Sequence, residues 1–158
     1  MADPRNRRFE DRYHESFDGL RLHYRDYPGG ADGRPPILCL PGLTRNARDY
    51  ASFAERLSPS WRVIAVDFRG RGESAPARDP MSYVPATYVQ DVEGLLATLA
   101  ITRFVAVGTS LGGLVTMLLA SAARGRIAGA VLNDIGPQIE AAGLARIRGY
   151  VGRNIWHP

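Results

Sequence analysis

The sequence predicts an α/β fold, a mostly parallel sheet with helices on both faces, and three observations carry that expectation. Short apolar runs bounded by Gly and Pro, such as Ile37-Leu38-Cys39-Leu40 before Pro41-Gly42, suit strands buried on both faces. Segments with apolar residues at helical spacing lie between those runs, and strict strand-helix alternation implies right-handed crossovers and parallel neighbours. The length of 158 residues, with 45% hydrophobic and 23% charged residues, fits one ordinary globular domain.

The elements follow in order. Tyr13 to Tyr27 reads as a hairpin turned by Asp18-Gly19, with Leu20, Leu22 and Tyr24 alternating with Arg21, His23 and Arg25. That alternation places His23 on the solvated face. A Gly- and Pro-rich loop, 28–36, leads into the Ile37 to Leu40 strand. Asn46 and Asp49 form a capping pair, and Tyr50, Phe53, Ala54 and Leu57 make one apolar helix face. Trp61 to Phe68 is the next strand, closed by the turn Arg69-Gly70-Arg71-Gly72. Pro76, Pro80 and Pro85 forbid regular structure until a helix whose face is Tyr88, Val92, Leu95, Leu96 and Leu99. The strand Phe104 to Val107, the helix Leu111 to Ala123 and the strand Ile127 to Leu132 complete the alternation. Pro137 onward begins a further helix with Ile139, Leu144, Ile147 and Val151.

Composition removes several chemistries. All 20 basic residues are Arg, which excludes a lysine nucleophile, a Schiff base and a P-loop lysine. The single cysteine, Cys39, cannot form an internal disulfide or a multi-thiolate metal site, and its apolar run makes it a buried spectator thiol. No Cys/His/Asp/Glu cluster has zinc or calcium spacing, so no metal and no cofactor is expected. The net charge of +4 is modest and the arginines are scattered among acids, apart from Arg5, Arg7, Arg8 and Arg12, so no nucleic-acid surface is expected. The longest nearly apolar stretch, Leu114 to Ala123, is too short to span a bilayer and no apolar leader follows Met1. A cytoplasmic, reducing location is the expectation. Gly70-Arg71-Gly72-Glu73-Ser74-Ala75 fits a dinucleotide fingerprint in letters only, because Pro76 and Pro80 prevent the helix that motif must open.

One motif carries chemistry. Gly108-Thr109-Ser110-Leu111-Gly112 stands between an apolar strand and an apolar helix, where a sharp turn needs small neighbours two before and two after and exposes the Ser110 hydroxyl. Gly113 lets the helix approach the adjoining strand. A serine nucleophile needs N–H donors for the oxyanion it creates. The Leu111 N–H, at a helix N-terminus, is one donor. Leu43 is the other, because Pro41-Gly42-Leu43-Thr44 leaves a buried strand with a glycine that lets the backbone turn toward the same point.

Pro41-Gly42-Leu43, Asp67-Phe68-Arg69-Gly70-Arg71-Gly72-Glu73-Ser74, the Ser110 motif with Gly113, and Leu132-Asn133-Asp134-Ile135-Gly136-Pro137 occur in this order. Together they resemble the alpha/beta-hydrolase fold over the whole chain after its first ten or so residues. The resemblance implies Ser110 as nucleophile, Leu43 and Leu111 as oxyanion donors, residues 1–136 as the N-terminal part of the core, and residues 137–158 as the start of a helical cap. Many relatives have His-Gly where this chain has Pro41-Gly42. Ser110 separates it from the similar haloalkane dehalogenases and epoxide hydrolases, which use Asp, and implies cleavage of a carboxylic ester, thioester or lactone in a small acyl substrate. Hydrolysis of C–C bonds and perhydrolysis use the same site and stay open.

The fold's chain order is Ser, acid, His, and only His157 follows Ser110, one short cap segment beyond the sixth strand. It reads as a cap-surface or chain-end residue, so the base is expected from outside the chain. His14 and His23, in the hairpin, are placed no better. Asp134, at the end of the sixth strand, is the candidate acid, and Asp67 reads as structural with Arg69 and Arg71 as partners. A non-catalytic fragment or small-molecule-binding relic remains the alternative. The resemblance implies that the last two strands are lacking, which leaves the strand Ile127 to Leu132 as an exposed edge open to self-association.

Overall fold

Two runs, Ile37–Leu40 (ILCL) and Val63–Val66 (VIAV), are buried at every position, which no strand with a solvated face achieves. They form the middle of the sheet in a computed structural model that describes residues 8–30, 33–122 and 124–150. The strands are β1 (Glu10–Glu15), β2 (Arg21–Tyr27), β3 (Ile37–Leu40), β4 (Val63–Val66), β5 (Phe104–Thr109) and β6 (Ile127–Asn133). Their spatial order is β1-β2-β4-β3-β5-β6. From β4 to β6 all neighbours are parallel, while β1 pairs with β2 and β2 with β4 antiparallel. The N-terminal hairpin is therefore the antiparallel margin of a mostly parallel sheet, as the sequence predicts.

The helices are α1 (Ala51–Leu57), α2 (Pro85–Thr98), α3 (Leu111–Ala122) and α4 (Ala141–Tyr150). Alternation along each strand sends successive side chains to opposite faces. Leu38, Leu40, Ile64 and Val66 pack with Val92, Leu95, Leu96, Val115 and Leu119 of α2 and α3. Ile37, Cys39, Val63 and Ala65 pack with Ala47, Tyr50 and Ala54 at and before α1. Helices cover both faces. Cys39 is fully buried, and burial pushes its thiol pKa up, so it stays protonated. Pro85 opens α2 at its first turn, where the missing N–H costs nothing. Among the described residues no helix is long and apolar enough to cross a membrane.

Several local expectations change. The β4 strand is shorter than Trp61 to Phe68, and a short 3-10 turn, Pro80–Ser82, interrupts the proline-rich loop. Tyr50 belongs to a 3-10 turn, Ala47–Tyr50, and Phe53 is 37% exposed, so the predicted apolar face is split between two elements. Asn46 caps that turn by accepting from the Arg48 N–H at 3.0 Å, whereas the Asp49 carboxylate pairs with Arg45.

His23 is the larger correction: it is 2% exposed. Its Nδ1 lies 2.7 Å from Asp67 Oδ2 and its Nε2 3.0 Å from Asp11 Oδ1. The 67–75 loop folds over this part of β2, and the His23 N–H donates to Ser74 Oγ at 2.8 Å. A polar residue can leave water when each of its groups finds a partner, and alternation cannot reveal that. The same contacts correct the partners of Asp67. It accepts from the Ala47 and Glu73 N–H groups at 2.6 and 2.9 Å, while Arg69 turns away to Asp91 and Asp18. That fully buried guanidinium makes a two-pronged pair with Asp91 at 2.7 Å and ties the Asp18 turn to α2.

Candidate active site

β5 ends at Thr109 and α3 starts at Leu111, leaving Ser110 to make the turn alone with φ of 49°. A non-glycine residue in that left-handed region carries strain of about 1–3 kcal/mol, held only by fixed surroundings. The surroundings are visible. The Ser110 N–H donates to the Asn133 carbonyl of β6 at 2.9 Å, and its carbonyl accepts from the Gly113 and Leu114 N–H groups at 2.9 and 3.1 Å. The buried Tyr50 hydroxyl donates to the Leu40 carbonyl at 2.8 Å and shares a hydrogen bond with Thr109 Oγ1 at 3.0 Å, tying together the ends of β3 and β5. Burial pushes the Tyr50 pKa up to about 12, which keeps it a neutral donor.

Close approach of α3 to the sheet depends on two glycines. A Cβ at Gly112 would stand 1.9 Å from the Leu40 carbonyl oxygen, and one at Gly108 would stand 2.5 Å from the Gly112 oxygen. Gly113 also meets the adjoining strand, since an added Cβ would lie 3.3 Å from the Gly108 carbonyl oxygen of β5, and it would lie closer still, 2.3 Å, to Ile135 Cγ2.

The loop after β3 reaches the same place. A Cβ on Gly42 would lie 3.8 Å from Ser110 Cβ. The Gly42 carbonyl accepts from the Arg45 N–H at 3.1 Å. A trans peptide is planar with its N–H opposite its C=O, so this bond turns the Leu43 N–H to the other edge.

Leu43, Ser110, Leu111 and Asp134 line one cavity of about 350 Å³, walled further by Leu114, Ile135, Ile139 and Leu144. Leu43, Ser110, Leu111, Leu114, Asp134 and Ile135 come from the carboxyl ends of strands and the start of α3, and Gln138, Ile139, Glu140 and Leu144 from the segment expected to begin a cap. Asp134 follows β6 directly with φ of 56°, so two of the three left-handed non-glycine residues among those described, Ser110 and Asp134, face one cavity. Two backbone N–H groups, one of them at a helix N-terminus, can stabilise an oxyanion formed at a carbonyl bound beside the Ser110 hydroxyl.

Among the described residues no histidine lines this cavity. His14 and His23 are buried at the β1–β2 end of the sheet, and His157 lies outside the described residues. The same residues hold no group of three His, Cys, Asp or Glu arranged for a metal ion. Tyr50 escaped the sequence reading as a support for the site, since its apolar spacing marked it only as core.

This strand order, with a serine turn at the carboxyl end of β5, defines an α/β architecture built on a mostly parallel sheet. The chain belongs to the alpha/beta hydrolase fold family, whose model matches residues 35–150. A 3-hydroxybutyrate-oligomer hydrolase of Cupriavidus necator is 36% identical over 132 residues, which cover 84% of this chain and 45% of that protein. Epoxide hydrolase 4 of Mus musculus is 30% identical over 102 residues, 65% of this chain and 28% of its own length. The crystal structure of an alpha/beta hydrolase from Novosphingobium aromaticivorans is 62% identical, superposes with a TM-score of 0.89, and is matched over 92% of this chain and 51% of its own. The chain spans about half the length of these relatives or less.

Proposed function

We propose that the chain is the nucleophile-bearing part of a serine hydrolase that cleaves a carboxylic ester, thioester or lactone. The observation that carries this is Ser110 itself, strained at φ 49° between β5 and α3 and facing a cavity shared with Leu43, Leu111 and Asp134. Ser110 Oγ attacks the acyl carbonyl carbon as a base removes its proton. The carbonyl electron pair moves to oxygen, and the Leu43 and Leu111 N–H groups hold the resulting oxyanion. Collapse expels the alcohol or thiol, which takes the proton from the base, and water repeats the sequence to free the acid. The base in this reading is a histidine beyond the described residues, with Asp134 as its carboxylate partner. Residues 137–158 begin the cap, whose wall over Ser110 selects the acyl group.

The relative named for a 3-hydroxybutyrate oligomer supports ester chemistry, because a hydroxy acid oligomer is joined by ester bonds. A serine hydroxyl at this turn favours acyl transfer over the epoxide opening in the name of the murine relative. The second reading, a binding module with no base, is favoured by the absence of histidine among the described cavity residues. A short-chain activated ester, offered to a protein that includes the histidine-bearing segment, separates the two. Turnover that falls by about 10⁴-fold or more in Ser110→Ala supports the hydrolase. A folded chain that binds the ester without turning it over, or turnover that survives Ser110→Ala, overturns it.

A further inference from the structure

We propose that Arg71 is a positioning residue that aims the Leu43 N–H at the oxyanion, an inference that rests on the serine-hydrolase reading. Arg71 Nε donates to the Leu43 carbonyl at 2.9 Å. Its Nη1 donates to the Arg69 carbonyl and the Tyr88 hydroxyl, each at 2.9 Å, and the guanidinium lies 5.5 and 5.3 Å from the Tyr83 and Tyr88 ring centres. One planar fork thus joins the loop after β3, the turn after β4 and helix α2, and its far anchors are firm. Tyr88 is buried in the α2 face, and Arg69 is locked by Asp91 and Asp18.

The consequence is geometric. Leu43 sits between two rigid peptide planes. The plane before it is held by Gly42 C=O on the Arg45 N–H, and the plane after it by Leu43 C=O on Arg71. With both planes fixed, φ and ψ of Leu43 are fixed, and its N–H has one direction. The Leu43 N–H lies in the first plane, whose Arg45 anchor is reached through the second, so releasing the Arg71 bond loosens the 42–45 turn and with it the direction of the donor. A lysine offers one mobile point charge in place of the fork, so it holds the carbonyl without the anchors at Arg69 and Tyr88.

The test compares wild type, Arg71→Met and Arg71→Lys in the full chain with an activated short-chain ester and an alkyl boronic acid. The boronate forms a tetrahedral adduct on a serine oxygen and fills the oxyanion position. For Arg71→Met, kcat falls by about 10- to 10²-fold, short of the 10²–10³-fold for deleting a donor outright, with KM within about twofold. Boronate affinity falls by the same factor, and Arg71→Lys lies between. A folded Arg71→Met with unchanged kcat, a loss confined to KM, or a kcat loss without boronate weakening overturns the role; if Arg71→Met does not fold, Arg71→Lys is judged by the same criteria. Wild type without turnover overturns the hydrolase reading and the oxyanion role with it. Amide exchange then decides the clamp separately: faster exchange at 42–45 with β3 unchanged supports it, and unchanged exchange in that loop overturns it.

Discussion

Leu40 offers Gly112 a backbone oxygen where a side chain would have to go, and a backbone oxygen in a buried central strand cannot step aside. With 1.9 Å between that oxygen and an added Cβ, Gly112→Ala must push α3 off the sheet. The expected loss is about 3 kcal/mol or more, at the upper end for overpacking, read from denaturant unfolding. Because Leu111 lies next to Gly112, the displacement also shifts the donor beside Ser110. Gly94, in the middle of α2, has nothing within 4 Å of an added Cβ, so the same change there gains about 0.5–1 kcal/mol from backbone entropy alone. Opposite signs for one substitution at two helical glycines mark close packing as the cause; a mild Gly112→Ala would show instead that α3 tolerates displacement.

At the scale of elements, β2 and the 67–75 loop are joined by a buried ion pair with a testable pH signature. Burial, the largest influence on His23, lowers its pKa, but the hydrogen bonds to Asp67 and Asp11 outweigh it and leave the pKa raised. Burial likewise pushes Asp67 up, and the hydrogen bonds from His23 and the Ala47 and Glu73 N–H groups outweigh it and leave it lowered. A raised histidine contributes stability that is complete below its unfolded pKa of about 6.5 and disappears as pH rises through the folded value. The lowered aspartate contributes above its unfolded pKa of about 3.9 and loses this as pH falls through its folded value. The pair is therefore strongest between about pH 4 and 6.5, and the deficit in Tm of His23→Gln against wild type is larger at pH 5.5 than at pH 9. A deficit independent of pH would mean that His23 acts as a neutral hydrogen-bonding group. This element also shows where sequence reasoning stops. β3, β5 and α3 were legible because apolar runs, glycine positions and helical spacing are local signals, and so was the Ser110 turn. Asp134 and Leu43 were reachable as the residues that follow strands. His23 with Asp67, and Arg71 with Leu43, join residues 44 and 28 positions apart, and nothing local distinguishes a paired buried polar group from a solvated one.

The whole sheet is asymmetric in how its margins are finished. At one end β1 carries charged side chains, with Arg12, Glu10 and Asp26 clustered along the hairpin, which discourages further strand pairing. At the other, β6 is IAGAVLN, without a charge, and it is exposed at nearly every position, with Val131 at 54% and Leu132 at 38%. Val131 pairs with Val107 and so shares its face of the sheet, while Leu132 stands on the opposite face beside Gly108, so both faces of this edge are apolar. Among the described residues β6 pairs with β5 alone, and an uncharged edge of this kind is a template for another strand. A polypeptide of these 158 residues is therefore expected to self-associate through β6, with sedimentation giving a mass that rises with protein concentration. Its net charge of +4 opposes this weakly, so added salt strengthens association by screening. Val131→Lys places a charge on the edge and shifts the distribution toward monomer, while Met81→Lys, in the exposed Pro80–Ser82 turn, leaves it unchanged. A wild-type monomer at all concentrations and salt levels would show that the edge is protected despite its composition. Equal effects of the two lysines would assign the association to general surface hydrophobicity rather than to strand pairing.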